Sequence, residues 1–183
     1  MAITTISSLA DAIKTGARSN LFRVTPSFGT DLQTTGNATD EEFSFLCKAA
    51  QLPGSTVGLI EIPFMAGRRY KVAGDRTFAE WTVTILNDKN QKVRQLVEDI
   101  QKKYAVVNYE ETFSKEVNDS DLASQYSTML VEQLDQAGNV VYSYKLEHCW
   151  PSDISTIDLS YDTTDTIEEF TVTWSYDYFT AVE

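Results

Sequence analysis

Glu169-Phe170-Thr171-Val172-Thr173-Trp174-Ser175-Tyr176-Asp177-Tyr178 alternates polar and large apolar side chains without interruption. Successive residues of an extended chain point to opposite faces, so the pattern predicts one strand with Phe170, Val172, Trp174, Tyr176 and Tyr178 on a single side. Further back, Tyr126–Leu134 and Val140–Trp150 flank Asp135-Gln136-Ala137-Gly138-Asn139, the pattern of a β-hairpin, which Pro151 is expected to close. Ile157 and Leu159, with Tyr161 beyond them, read as a strand leading to the turn-like Asp162-Thr163-Thr164-Asp165. Trp81, Val83 and Ile85 alternate with Thr82 and Thr84 in a half-buried strand, and Leu21-Phe22-Arg23-Val24 reads as another. Phe43, Phe45 and Cys47 alternate with Ser44, Leu46 and Lys48, predicting a strand that stops before the turn signal Leu52-Pro53-Gly54. Ile60, Ile62 and Phe64 fall on one side of the next extended stretch.

After Ile85 the hydrophobic period changes from two to 3.6. Asn87 and Asp88 are the N-cap candidates of a helix expected over residues 89–105. Val93, Leu96, Val97, Ile100 and Tyr104 form its apolar stripe, and Lys92, Arg94, Glu98, Asp99 and Lys103 its charged face. Ile3, Ile6, Leu9, Ala10 and Ile13 suggest a short amphipathic helix within residues 1–19, ending near Gly16. Residues 26–42 read as a loop, residues 65–77 as a basic hairpin loop, and Asn108–Asp121 as polar and irregular. About seven or eight strands joined mostly by turns, with one good helix, imply a mainly β fold. Antiparallel strands would form a sandwich or barrel with the helix packed alongside, in a single domain over residues 1–183.

Charge is unevenly distributed. The 183 residues carry 15 Lys and Arg against 27 Asp and Glu, a net −12. Residues 1–108 hold 13 of the basic and 11 of the acidic groups, and residues 109–183 hold 2 and 16. This balance argues against direct binding to nucleic acid or anionic lipid. The acidity reads either as a solvated face that keeps the protein soluble or as a surface that repels phosphate. The longest apolar runs fall far short of a membrane-spanning helix, and Met1–Ala10 has no basic start of the secretory kind, so cytoplasmic synthesis is expected.

No enzyme motif stands out. His148, the only histidine, lies between Glu147 and Cys149. Adjacent strand residues face opposite sides, which is poor geometry for a base and its nucleophile. Cys47 and Cys149 are isolated, without the partners of a structural zinc site, so no metal or cofactor is expected. Arg68, Arg69, Lys71 and Arg76 make the most basic window, interleaved with Gly67, Tyr70, Val72 and Gly74. A phosphate loop fails here: six residues separate Gly67 from Gly74, and Asp75 follows where a phosphate would be repelled. A basic hairpin making protein contacts fits better. Asp75 and Arg76 alternatively brace the turn locally, clamping the strand start that bears Phe78 and Trp81. Nine Tyr and three Trp are consistent with either association or an aromatic core.

Asn20-Leu21-Phe22-Arg23-Val24, Phe43-Ser44-Phe45-Leu46-Cys47-Lys48-Ala49 and Leu52-Pro53-Gly54 resemble the opening of the tail tube proteins of contractile-tailed, T-even-like bacteriophages. Val72-Ala73-Gly74-Asp75-Arg76-Thr77-Phe78, then Trp81-Thr82-Val83-Thr84 and Asn87-Asp88, resemble the central signature of that family. Trp150-Pro151 and the alternating last strand resemble its close. These pieces run in order over most of residues 20–179, although Pro26–Glu42 and the N-terminal segment depart from the pattern. The resemblance implies a virion structural subunit with no enzymatic activity. It implies six-membered rings stacked into a hollow tube inside a contractile sheath, with tape measure, baseplate and tail terminator proteins as partners and DNA passing through unbound. Six copies would carry about −72 per ring, so an acidic lining lets DNA slide without sticking. Within that picture Arg68, Arg69, Lys71 and Arg76 are expected to meet acids of the next ring, and the charged helix face to meet the sheath. The alternatives are a carbohydrate-binding or other β-sandwich binding module, and the tube of a secretion or injection system.

Overall fold

A computed structural model of the chain describes residues 17–28, 40–104, 126–162 and 164–182. The expected N-terminal helix over residues 3–16, the centre of the 26–42 loop and the irregular stretch 108–121 lie outside the described residues. Strands β1 (Phe22–Ser27), β6 (Ser127–Leu134), β7 (Val140–Ile154), β8 (Glu169–Ser175), β5 (Trp81–Leu86) and β2 (Cys47–Ala50) lie side by side in that order, every pair antiparallel. A further strand, β9 (Tyr178–Val182), pairs with β7. The fold is mainly β, as expected. Its two outer strands are bridged by a short helix, α1 (Asp40–Leu46), which packs on β1 and runs directly into β2.

One face of this sheet builds the core. Trp81, Val83 and Ile85 of β5 and Phe170, Val172 and Trp174 of β8 are buried, while the residues between them are half-buried. Against them packs α2 (Lys92–Tyr104), which buries Val93, Leu96, Val97 and Ile100. This is the stripe that 3.6-residue periodicity gives. The helix starts later than expected: Asn87 donates its amide to the Glu168 carboxylate at 2.9 Å, and Gln91, in the left-handed region, accepts the first helical bond from Gln95 at 2.9 Å. Glu168 holds the Asn87 amide nitrogen, and Asn87 Oδ1 accepts no hydrogen bond among the described residues, so Asn87 caps no helical N–H.

Four other expectations are corrected. Residues 43–46 are helical, not extended. Phe43 is buried edge-to-face with Phe28 and Trp174 at 6.0 and 6.5 Å between ring centres, whereas Phe45 is 86% exposed. Phe43 and Phe45 would share one face of a strand, but residues two apart diverge on a helix, and the acids Glu41 and Glu42 in its first turn suit the helix dipole. Pro26 and Ser27 accordingly finish β1 and Asp40–Glu42 open α1, which shortens the expected loop at both ends. Pro151 does not close the hairpin, because β7 continues to Ile154 through a register shift between Pro151 and Asp153, where a missing N–H is tolerated. Residues 155–160 form no regular strand, so Ile157 and Leu159 lack a ladder partner of their own, although the Ser155 amide donates to the Thr171 carbonyl at 2.8 Å.

The decisive last strand divides. β8 ends at Ser175 and β9 begins at Tyr178, and both lie along β7, which itself turns at His148 with φ 56°. The His148 Nδ1 lies 2.7 Å from Asp177 Oδ2, and the Asp177 amide donates to the Glu147 carbonyl at 3.2 Å, fastening the two bends together. Alternation slips across this corner. Tyr178 turns outward while Phe179 packs on the core cluster in its place.

Candidate assembly surface

The remaining two strands stand apart from the sheet. β3 (Ser55–Phe64) and β4 (Arg68–Phe78) pair only with each other, joined by a tight turn over Met65–Gly67. The expected basic loop over residues 65–77 is therefore mostly strand. Ten residues of β3 extend about 33 Å at 3.3 Å per residue. All ten are exposed, as are all of β4 but Gly74 and Phe78. Ala66 at φ 61° and Gly67 at φ 74° make the reversal, a conformation natural to glycine and disfavoured for alanine. Near the middle, a register shift between Val57 and Leu59 brings Gly58 and Gly74 together. A Cβ on Gly74 would lie 3.2 Å from the Gly58 backbone, so any larger residue would have to push that backbone away by a few tenths of an ångström.

The register sorts the side chains of the outer half of the ribbon. Phe64 lies opposite Arg68, Ile62 opposite Tyr70 and Ile60 opposite Val72, so these share one face. The other face carries Pro63 with Arg69 and Glu61 with Lys71. The first face is apolar and uncovered, with Phe64 68% and Tyr70 67% exposed. Contiguous exposed apolar surface of this kind marks an interaction site. A two-stranded ribbon with no covered face is marginal alone, so a partner would contribute to its stability.

The four basic residues singled out in the sequence all sit on β4, in different settings. Arg69 reaches Glu61 at 2.6 Å, an exposed pair within the ribbon. Arg76 lies over the rings of Phe78 and Phe179 at 4.8 and 5.0 Å, and Phe78 in turn packs on Phe179 and Tyr176 at 5.5 and 6.0 Å. This cluster ties the root of the ribbon to the body of the protein. Arg68 and Lys71, nearer the tip, have no ion pair among the described residues, and neither does Asp75. Trp81 is buried at the start of β5, where its indole N–H donates to the Gln51 carbonyl at 2.5 Å.

On the helix, Lys92 bonds Glu42 of α1 at 3.2 Å and Arg94 bonds Glu98 at 2.9 Å. Arg94 also donates to the Ser155 carbonyl at 3.3 Å and stacks over Phe170 at 5.5 Å. It is a strut between helix and sheet as well as a surface charge. Asp99 and Lys103 stand further along the same helix, each with partners of its own.

Periodicity missed a second exposed apolar area. Leu159 is 79% exposed, Ile167 is 68% exposed and Tyr161 is fully exposed. Together with Ile157 they border an open cleft of about 590 Å³ between residues 157 and 169. Its acids are Asp158, Glu168 and Glu169, of which Glu168 already accepts from Asn87 and Glu169 pairs with Lys48. The sequence signal was the lack of any basic residue between Pro151 and Phe170. Neither thiol is set up for chemistry. Burial raises the pKa of both Cys47 and Cys149 to about 12, and Cys149 Sγ donates to the Leu146 carbonyl at 3.4 Å.

The model of a family described as phage tail tube protein matches residues 14–182. Tail tube protein gp19 of Enterobacteria phage T4 is 34% identical over 165 residues, 89% of this chain and 90% of that protein. Among solved structures, a chain of the anti-feeding prophage baseplate superposes with a TM-score of 0.65 at 10% identity, covering 92% of this chain and 96% of its own. A chain of an extracellular contractile injection system's extended sheath–tube complex gives 0.55 at 12% identity, covering 98% and 99%. These two likenesses extend to the fold.

Proposed function

The chain belongs to the phage tail tube protein family, a structural subunit of contractile tails, and from that premise we propose that it works entirely through self-assembly. Copies close into six-membered rings, and the rings stack head to tail into a rigid tube. The observation that carries this reading is the β3–β4 ribbon, about 33 Å long with both faces open. A long arm with an uncovered apolar face suits a contact with another copy, and repetition of a non-self-complementary contact produces rings or filaments.

Charge supports the rest of the reading. Six copies at −12 each carry about −72 per ring, and carboxylates along a channel repel phosphate, so double-stranded DNA passes without binding. The same acidity favours a genome over a basic protein cargo. In this scheme Arg68, Arg69, Lys71 and Arg76 lie at the junction between rings, with Arg76 and Trp81 bracing the arm's root and Asp75 beside them. The helix face of Lys92, Arg94, Glu98, Asp99 and Lys103 turns toward the contractile sheath. Tape measure, baseplate and terminator proteins meet the tube along its bore and at its ends, in the tail of the virion.

Electron microscopy of the purified chain over a concentration series, with and without sheath subunits, tests the proposal. Rings or tubes with an open channel are the expected result. Compact monomers under every condition, including with sheath and baseplate components present, would overturn it.

A further inference from the structure

We propose that residues 3–13 dock as an amphipathic helix in the groove between α1 and the β1–β6 pair of their own chain. The contact lies within one subunit and stands apart from how copies assemble. The sheet leaves room for it, because β1 and β2 are its outer strands and the short α1 bridges them. Between them opens a groove of about 930 Å³, whose apolar side chains are Phe22 of β1, Leu130 and Leu134 of β6, Phe45 of α1 and Cys47 of β2. Phe45 stands 86% exposed on its wall. The floor is the side of the sheet turned away from the core. Arg23 lies opposite Glu132 and Thr25 opposite Leu130, whereas Val24 and Val131 between them are buried on the other side. The floor's ion pair is closed in place, Arg23 Nε donating to Glu132 Oε2 at 2.6 Å, and Lys48 at the wall is bonded to Glu169. With these charges satisfied within the subunit, the apolar row is the surface that lacks a cover.

The occupant follows from where the chain enters. A turn in which the Leu21 amide donates to the Arg18 carbonyl at 3.2 Å delivers the chain to Asn20, which itself lines the groove. The Leu134 amide donates to the Leu21 carbonyl at 2.9 Å and pins this entry to β6. From Lys14 to Asn20 the chain spans at most about 20 Å, so the preceding residues begin within reach of the groove. Those residues carry Ile3, Ile6, Leu9, Ala10 and Ile13 at the spacings of one helical stripe, with Thr4, Thr5, Ser7, Ser8 and Asp11 around it. Residues 3–13 rise about 16 Å as a helix, and Leu130 to Leu134 extend about 14 Å along β6, so stripe and floor match in length. A helix this short is marginal in water unless its apolar side is covered. The groove offers that cover, and the stripe covers Phe45 in return. A tether of a few residues holds the segment over its own groove at an effective concentration of about millimolar, ahead of a segment from another copy.

Amide hydrogen exchange on the full chain, kept dilute enough to remain as single subunits, tests the docking. Ile6→Asp and Leu9→Asp introduced together put charge into the stripe and should speed exchange in α1 and β1 by about tenfold. Exchange in β8, held between β5 and β7, should stay as it was and shows that the variant is folded. Leu9→Met, which keeps the stripe apolar, should leave α1 and β1 protected. A second test places Leu9→Cys and Phe45→Cys in one chain. Mild oxidation should close a bridge within single chains, seen as faster migration on a non-reducing gel, which neither single variant gives. The docking is overturned by exchange in α1 and β1 that the charged stripe does not change. It is overturned equally by a double-cysteine chain that closes no bridge, or by one that bridges only between chains, which would make a second copy the occupant.

Discussion

Arg76 shows how one side chain can be assigned by what it touches. Its guanidinium lies between two aromatic rings at the base of an otherwise unsupported ribbon, so Arg76→Ala should lower subunit stability by about 1 kcal/mol, read as a drop in the melting temperature. Arg68→Ala, at an exposed position without an ion pair among the described residues, should leave the melting temperature of the isolated subunit unchanged. Trp81 lies at the other extreme. Its buried ring fills the core and its N–H satisfies Gln51, so Trp81→Ala should cost about 3–5 kcal/mol and leave much of the protein unfolded. The thiols set an alkaline limit. Burial raises Cys149 from an ordinary 9.0 to about 12 in the folded chain, so the unfolded chain loses that proton first. The stability tied to the protonated thiol is complete below about pH 9 and is lost as pH rises toward 12. Denaturant midpoints should therefore fall across that range, and Cys149→Ala should flatten the fall. In neutral buffer Cys149 should resist alkylation until the protein unfolds.

At the scale of elements, the corner of the sheet and the separate ribbon call for different tests. The corner between β8 and β9 depends on His148 and Asp177, a partly exposed pair worth about 0.5–1 kcal/mol. Asp177→Ala should speed amide exchange in β9 more than in β8, which is held on both sides by β5 and β7. The ribbon depends on Gly74, where a side chain would press on the Gly58 backbone. Gly74→Val should distort the arm and weaken tube formation while leaving the melting of the subunit nearly unchanged, because the arm contributes little to the core. Both elements were partly legible beforehand. Alternation located Phe170–Trp174 correctly but ran on through Tyr178, since a period of two carries no sign of a bend that flips the parity. The pattern Phe43-Ser44-Phe45 fits two periods over so short a span, and packing of Phe43 between Phe28 and Trp174 selected the helix.

The whole molecule is organised around a division between a covered core and an uncovered arm. Its charge acts at this scale too. With a net −12, the protein should not retard double-stranded DNA in an electrophoretic assay even at low salt, where any phosphate affinity would be strongest. Retardation would contradict a bore that DNA crosses without sticking. Assembly brings like charges together, so moderate salt should relieve the general repulsion between subunits while weakening the Arg68 contact. The net salt response then reports which of the two governs growth.

The amino-acid sequence by itself determined the mainly β class, the amphipathic helix with its buried stripe, the paired strands around Asp135–Asn139 and the family, because each is written in local periodicity or in ordered short motifs. It also determined the acidity of residues 109–183. Only the tertiary structure decided which alternating faces are covered. Ile60, Ile62 and Phe64 have the same pattern as Trp81, Val83 and Ile85, yet the first set stands in water and the second is buried beneath a helix. Alternation identifies two sides of a strand, while burial depends on what the rest of the chain places against each side, a non-local property that no short window contains.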